Sequence, residues 1–353
     1  MPRAERSYFM TVFSKLKTGA AAAVVGLSLA CAAGAQAETI VKIATVDGEG
    51  DLLKNPYWAY TEVFGTILSN QTGGRYTVQV FPNGQLGDLE SLLEQNIRGT
   101  IQIAAGLSTG HLAAYYPPVQ VLDMPYAFPN LEIAREVLDG EFGQSLSDKI
   151  AAEAGVRVLS YMPSAFRNFS NSVRPIHSPK DMEGLKMRTQ SIPVHLELVK
   201  ALGASATPIA WAELYNALQT GVVDGQENAP YTMLLANLQE VQKYYTLDHH
   251  LTNIPIVTIN EEFYQGLSDA DKKAFDFAAR QATFAMLGII TAKESQDLKV
   301  IRDAGVEIYQ PTPEEFQLFV KATKAPVAAV LKDIVGQDLL DELDAAVEKA
   351  SAE

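Results

Sequence analysis

From Ser268 to Asp303 the chain runs without a proline in one helical pattern. Ser268 offers a hydroxyl cap at its start, and Asp269 and Asp271 put negative charge in the first turn, where the helix dipole favours it. Gly288 is a weak interior point. At ~1.5 Å per residue the helix approaches 50 Å, more than the width of one small domain. Such a helix can bridge two bodies, and the rest of the chain supplies the pattern for two.

The first body opens with Ile40–Val46, an apolar run that reads as a strand. A helical period follows over 56–71, then an alternating strand over Tyr76–Phe81 that stops at the turn Pro82-Asn83-Gly84. A helix is expected from Asp88 to about Arg98, and Ile101–Ala105 reads as a buried strand. This β-α-β-α-β rhythm implies parallel strands with crossover helices. A second rhythm starts with the strand Val156–Tyr161. It continues with strands at 185–188 and 206–209, helices at 193–202 and 213–220, and an apolar strand at 254–259. A mixture of helix and coil is expected from Pro313 to Glu353.

Residues 1–37 read as a secretory leader, with Arg3, Arg6, Lys15 and Lys17 ahead of the apolar run Gly19–Leu29 and an Ala35-Gln36-Ala37 cleavage site. The apolar run is too short to span a bilayer. Cys31, the only cysteine, lies inside the leader, and Ser28 three residues before it argues against a lipid-anchored form. The mature chain then has no thiol chemistry. Losing four basic residues and one acidic residue takes the net charge from −14 to −17. So acidic a surface disfavours nucleic acid and anionic lipid, and an anion would need local cations to hold it. No later segment reaches transmembrane length. His249 and His250 are adjacent, the other histidines lack ligand spacing, and no nucleophile elbow, phosphate loop or dinucleotide fingerprint is present. Neither a metal nor a cofactor is expected.

The most specific segment is Ala206–Pro230, which contains Ala217-Leu218-Gln219-Thr220-Gly221-Val222-Val223-Asp224-Gly225-Gln226-Glu227-Asn228 and follows Gly184-Leu185-Lys186-Met187-Arg188. Together these segments resemble the signature region of TRAP-transporter solute receptors of the DctP type. The resemblance runs along the whole mature chain and is densest from Phe166 to Pro230. It implies an α/β, two-lobed periplasmic-binding-protein-like fold with a long helix spanning both lobes. One lobe would hold 38–165 with about 254–290, and the other 166–253 with about 291–353. It further implies a periplasmic receptor, not an enzyme, that captures a small organic acid between the lobes and closes on it. The acid would pass to the integral membrane subunits of a TRAP transporter.

Arg188 ends a strand pattern, and ligands of open α/β sheets gather at the carboxyl ends of strands. A guanidinium fork matches a carboxylate, although spacing alone leaves a surface or ion-paired role open. The resemblance makes Arg188 the carboxylate clamp, Arg167 a second arginine near the ligand, and Asn228 a further amide donor. It puts Trp211 at an aromatic position that faces the ligand, and Asp88 in a Gln-Leu-Gly-Asp turn that approaches it. Trp58, Phe166 and Tyr231 complete an expected apolar lining. Gly106, Leu107, Ser108 and Thr109 stand where sialic-acid-type members carry charges. These features point to an aromatic or branched monocarboxylate, with a C4-dicarboxylate as the alternative. A secreted enzyme on a carboxylate substrate, or a receptor presenting the acid to a sensor, are the readings from other classes.

Overall fold

Eleven strands build two sheets in the computed structural model, which describes residues 38–352. The leader expectation falls on residues 1–37 and so lies outside the described residues. The strands are β1 (Thr39–Ala44), β2 (Tyr76–Phe81), β3 (Ile103–Leu107), β4 (Val156–Tyr161), β5 (Ala165–Asn171) and β6 (Lys186–Thr189). They continue with β7 (Ser205–Pro208), β8 (Gly225–Asn228), β9 (Tyr244–Asn253), β10 (Ile256–Asn260) and β11 (Glu307–Tyr309). The first sheet has the order β2-β1-β3-β10-β4 and the second β11-β9-β5-β8-β6-β7.

The expected parallel rhythm is present: β1 runs beside β2 from Thr39↔Tyr76 to Ala44↔Phe81, and beside β3 on its other side. The chain leaves the first sheet between β4 and β5 and returns between β9 and β10. The two crossings are tied to each other, with Met162 N–H donating to Pro255 O at 2.9 Å and Ser164 N–H to Asn253 O at 3.0 Å.

Helix Asp269–Asp303, 35 residues long, spans both bodies. Ser268 caps it as expected, accepting from the Asp271 N–H. Phe275, Ala278, Ala282 and Met286 pack with Val41, Ile43 and Ile103 of the first sheet and with Phe64 of helix Pro56–Thr72. Near its other end Ile301 packs with Tyr245 and Leu247 of the second sheet. The tail is two helices, Pro313–Val335 and Gln337–Ala352. Phe319, Val327 and Leu331 pack with second-sheet residues, whereas Leu339, Leu343 and Ala350 pack among Leu146, Ile150 and Val158. The last helix therefore folds back on the first body, because its apolar face meets helix Glu141–Ala154.

Gly225 explains part of the signature region. It opens β8 against β5 and Met187, and a Cβ there would lie 2.2 Å from Ser170 O and 2.8 Å from the Met187 sulfur. Both neighbours are fixed by the sheet, so a methyl group has nowhere to go. Gly225→Ala is expected to destabilise the protein by about 3 kcal/mol, read as a lower midpoint in urea unfolding.

Candidate functional site

The carboxyl ends of β1 and β3 face those of β6, β7 and β8 across a cleft of about 1080 Å³, open mouth included. One wall holds Val46, Asp47, Tyr57 and residues 106–111, and the other Arg188, Gln190, Ile209, Trp211 and Asn228. The crossing segments supply Arg167, Asn253, Ile254 and Pro255 to the floor. The walls touch where the Ser108 hydroxyl donates to Gln190 Oε1 at 2.7 Å. Gly110 permits that approach, since a Cβ there would sit 2.2 Å from the same oxygen.

Arg188 is 3% exposed. Its Nε donates to Ile209 O at 2.8 Å, and no carboxylate pairs with it among the described residues. That bond fixes the plane of the guanidinium. The two terminal nitrogens remain for a ligand. Burial holds its pKa down to about 10, with Glu227 and Glu90 opposing and Arg167 adding to the shift. At neutral pH it is a buried cation without a direct counter-ion, which an incoming carboxylate would supply.

Arg167 lines the same cleft but is already paired. Its Nε and one terminal nitrogen grip both oxygens of Glu227, and its other terminal nitrogen donates to Asn253 Oδ1 at 2.7 Å. Glu227 Oε2 also lies 3.3 Å from His250 Nε2, and Asp248 holds His250 Nδ1 at 2.9 Å. Burial alone would raise the Glu227 carboxyl, but Arg167 and His250 outweigh it and hold it well below the usual range. Burial likewise opposes charge on His250, yet Asp248 and Glu227 push its pKa up to about 9. Two cations and two anions thus share a buried cluster beneath the cleft.

Of the residues expected at the site, Arg188, Arg167, Asn228 and Trp211 line the cleft. Asn228 is buried, with its amide donating to Gln226 Oε1 at 2.8 Å. Asp88, Trp58, Phe166 and Tyr231 do not line it. Asp88 is exposed, and its carboxylate accepts from the Ser91 N–H as the cap of helix Leu89–Ile97. Trp58 follows Tyr57 on its helix, and a step of about 100° turns it away from the cleft wall. Phe166 precedes Arg167 on β5 and so takes the opposite face, where it stacks on His249 with ring centroids 5.0 Å apart. Tyr231 lies behind the wall, its hydroxyl 2.7 Å from Asn253 Nδ2 and 3.0 Å from Ser164 Oγ. The expected aromatic lining therefore shrinks to Trp211, with Tyr57 added.

Tyr57, Asp47, Gln190, Asp123, His195 and Asn253 were not expected. Asp47 and Gln190 stand just past the ends of β1 and β6, so the carboxyl-end rule could have found them. The Asp47 carboxylate accepts from Thr45 Oγ1 at 3.0 Å, and burial pushes its pKa up to about 6 against that bond. These positions suggest a direct check on Asp88. Asp88→Ala should cost about 1 kcal/mol of stability through the lost cap, while leaving ligand affinity within twofold by calorimetry.

Two sheets facing across a cleft, crossed by paired strands and a spanning helix, with one unmatched buried cation, define a two-lobed solute receptor. The chain belongs to the bacterial extracellular solute-binding proteins of family 7, the DctP family, whose pattern matches residues 53–333. It is 33% identical over 327 residues to a solute-binding protein of Roseobacter denitrificans, covering 92% of this chain and 98% of that one. The C4-dicarboxylate-binding periplasmic protein DctP of Rhodobacter capsulatus is also 33% identical, over 341 residues, covering 95% and 98%. The crystal structure of the sugar acid binding protein DctPAm of Advenella mimigardefordensis with galactonate superposes with a TM-score of 0.81. It is 30% identical and covers 89% of this chain and 99% of that one. The fold is that of the two-lobed TRAP periplasmic receptors, and the protein is a receptor, not an enzyme. Among the described residues no helix is long and apolar enough to cross a membrane.

Proposed function

We propose that this receptor captures a small hydroxylated monocarboxylate in the periplasm and delivers it to the integral subunits of a TRAP transporter. One observation carries the reading. Arg188 and Arg167 are the arginines of the cleft lining, and Arg188 alone of the two lacks a carboxylate partner among the described residues. A single carboxylate fits that inventory. A second would have to displace Glu227 from Arg167 or sit near Asp47, Glu90 or Asp123, which also line the cleft. The C4-dicarboxylate reading, suggested by the name of the Rhodobacter relative, is disfavoured on that ground.

The aromatic or branched ligand expected from the sequence loses two of its supports, since Trp58 and Phe166 lie outside the cleft. Ser108, Thr109, Gln190, Ser191, Asn228, Thr252 and Asn253 instead give the walls hydrogen-bonding groups. These suit hydroxyls, as does the name of the galactonate-bound neighbour. A thermal-shift screen tests the choice. At about 100 times its Kd a ligand adds ~2.7 kcal/mol of stability. D-Galactonate or D-erythronate should raise Tm more than phenylacetate, isovalerate or succinate does. A larger shift with succinate would restore the dicarboxylate reading, and one with phenylacetate the aromatic reading.

A further inference from the structure

We propose that Asp123 and His195 form a second recognition point in the cleft, which takes a ligand hydroxyl remote from the carboxylate. The inference rests on the reading above and adds where the far end of the ligand is sensed. Asp123 ends the 3-10 turn Pro117–Asp123, and His195 lies in the first turn of helix Pro193–Ala201. They come from separate parts of the chain, and both line the cleft. Both are more than nine-tenths buried, at 6% and 1% exposure.

Their hydrogen-bonding capacity is only partly used. Thr109 Oγ1 donates to Asp123 Oδ1 at 3.0 Å, which leaves Asp123 Oδ2 with no partner among the described residues. His195 Nε2 stands 3.3 Å from Asp123 Oδ1, yet neither ring nitrogen makes a hydrogen bond among the described residues. Buried polar atoms are nearly always bonded, so three unbonded ones on two adjacent cleft residues need a partner. A hydroxyl meets two of those three needs in one group. It donates to Asp123 Oδ2 and accepts from the protonated ring nitrogen of His195. A second carboxylate could not donate, and Asp123 would repel it. A methyl group would leave all three atoms unbonded. The pair therefore discriminates hydroxylated acids from their alkyl counterparts, while Arg188 treats both alike.

The test uses two pairs of acids with equal carbon chains, D-erythronate with butyrate and D-galactonate with hexanoate, measured by calorimetry on the mature protein. Wild type should prefer the hydroxylated member of at least one pair by about 100-fold or more. His195→Phe should weaken that member by ~10–100-fold and leave its alkyl partner within about threefold. His195→Gln, which keeps a donor, should recover part of the loss. Asp123→Asn replaces the free acceptor, keeps the volume, and should give about a tenfold loss with the same selectivity. It carries the comparison if His195→Phe does not fold by circular dichroism. Equal weakening of both members, or of neither, would overturn the recognition point and leave the carboxylate reading intact. If none of the four acids binds wild type, the proposed function itself fails, and the recognition point with it.

Discussion

Arg188→Ala should weaken ligand binding by a factor on the order of 10² to 10³ or more and leave the fold intact. Removing one member of a buried charge pair typically costs about 2–5 kcal/mol. Arg188 is placed for such a pair, being buried, still charged, and anchored through Nε to Ile209 O. Its terminal nitrogens point to no protein carboxylate within the described residues. The free protein thus holds an unmatched cation, which the proposed ligand carboxylate would neutralise. Truncation removes that mismatch, so apo stability should stay level or rise. Arg188→Lys keeps charge but loses the fork and the Ile209 bond, and should recover only part of the affinity. Arg167→Ala and Asn228→Ala are expected to reduce affinity less. Calorimetry with the acid selected by the thermal-shift screen, with circular dichroism as the control for folding, measures all four.

Glu227→Ala should have the opposite signature, a large loss of stability of about 3–5 kcal/mol. It would leave Arg167 without its bidentate partner and remove one of the two carboxylates around His250. Arg167, Arg188 and His250 would then share a buried region with Asp248 beside His250 and Asp123 near Arg167 as the remaining carboxylates. Wild-type stability should also depend on pH in a defined way. The folded pKa of His250 is raised from 6.5 to about 9, so its contribution is complete below about 6.5 and is lost as pH rises through 9. The Glu227 carboxyl is depressed, so its contribution is present above about 4.5 and is lost as pH falls towards its folded value. Urea midpoints should therefore be highest between about pH 5 and 6.5. In Glu227→Gln the alkaline loss should begin at lower pH, because only Asp248 remains to hold the proton on His250. An unchanged alkaline limb in that variant would show that Glu227 does not support the imidazolium.

Most of the first sheet was legible in the sequence. Tyr76–Phe81 and Val156–Tyr161 alternate or run apolar between clear turn signals, and the structure forms β2 and β4 on those residues. The centre of the second sheet was not. β5, β8 and β9 carry Arg167, Asn168, Gln226, Glu227, Asp248 and His250 at buried positions. Read along the chain, such segments look like solvated loops. They are strands because their charges neutralise one another across the sheet, as Arg167 and Glu227 do from 60 residues apart, with Asn253 accepting a further bond from Arg167. Helical regularity hid the C-terminal fold for another reason. The pattern from Pro313 onward is helical, but nothing local tells helix Gln337–Ala352 to return to the first body.

The site divides in the same way. Arg188, Arg167, Asn228 and Trp211 were marked by a motif, and the structure places them around one cleft. Residue type alone points to Trp58 and Phe166, and each misses the cleft by one position because Tyr57 and Arg167 take the inward direction. Asp88 was drawn in by its turn, yet its carboxylate is used on its own helix. Direction around a helix or across a strand decides these cases, and composition does not carry it.

The most direct test is a crystal structure of the protein with the tightest-binding acid from the thermal-shift screen. The expected result is a carboxylate within about 3 Å of both terminal nitrogens of Arg188. Arg167 should remain on Glu227, and the ligand's remaining polar atoms should reach the opposite wall. An acid bound elsewhere, or one whose carboxylate sits on Arg167 with Glu227 displaced and Arg188 untouched, would contradict it.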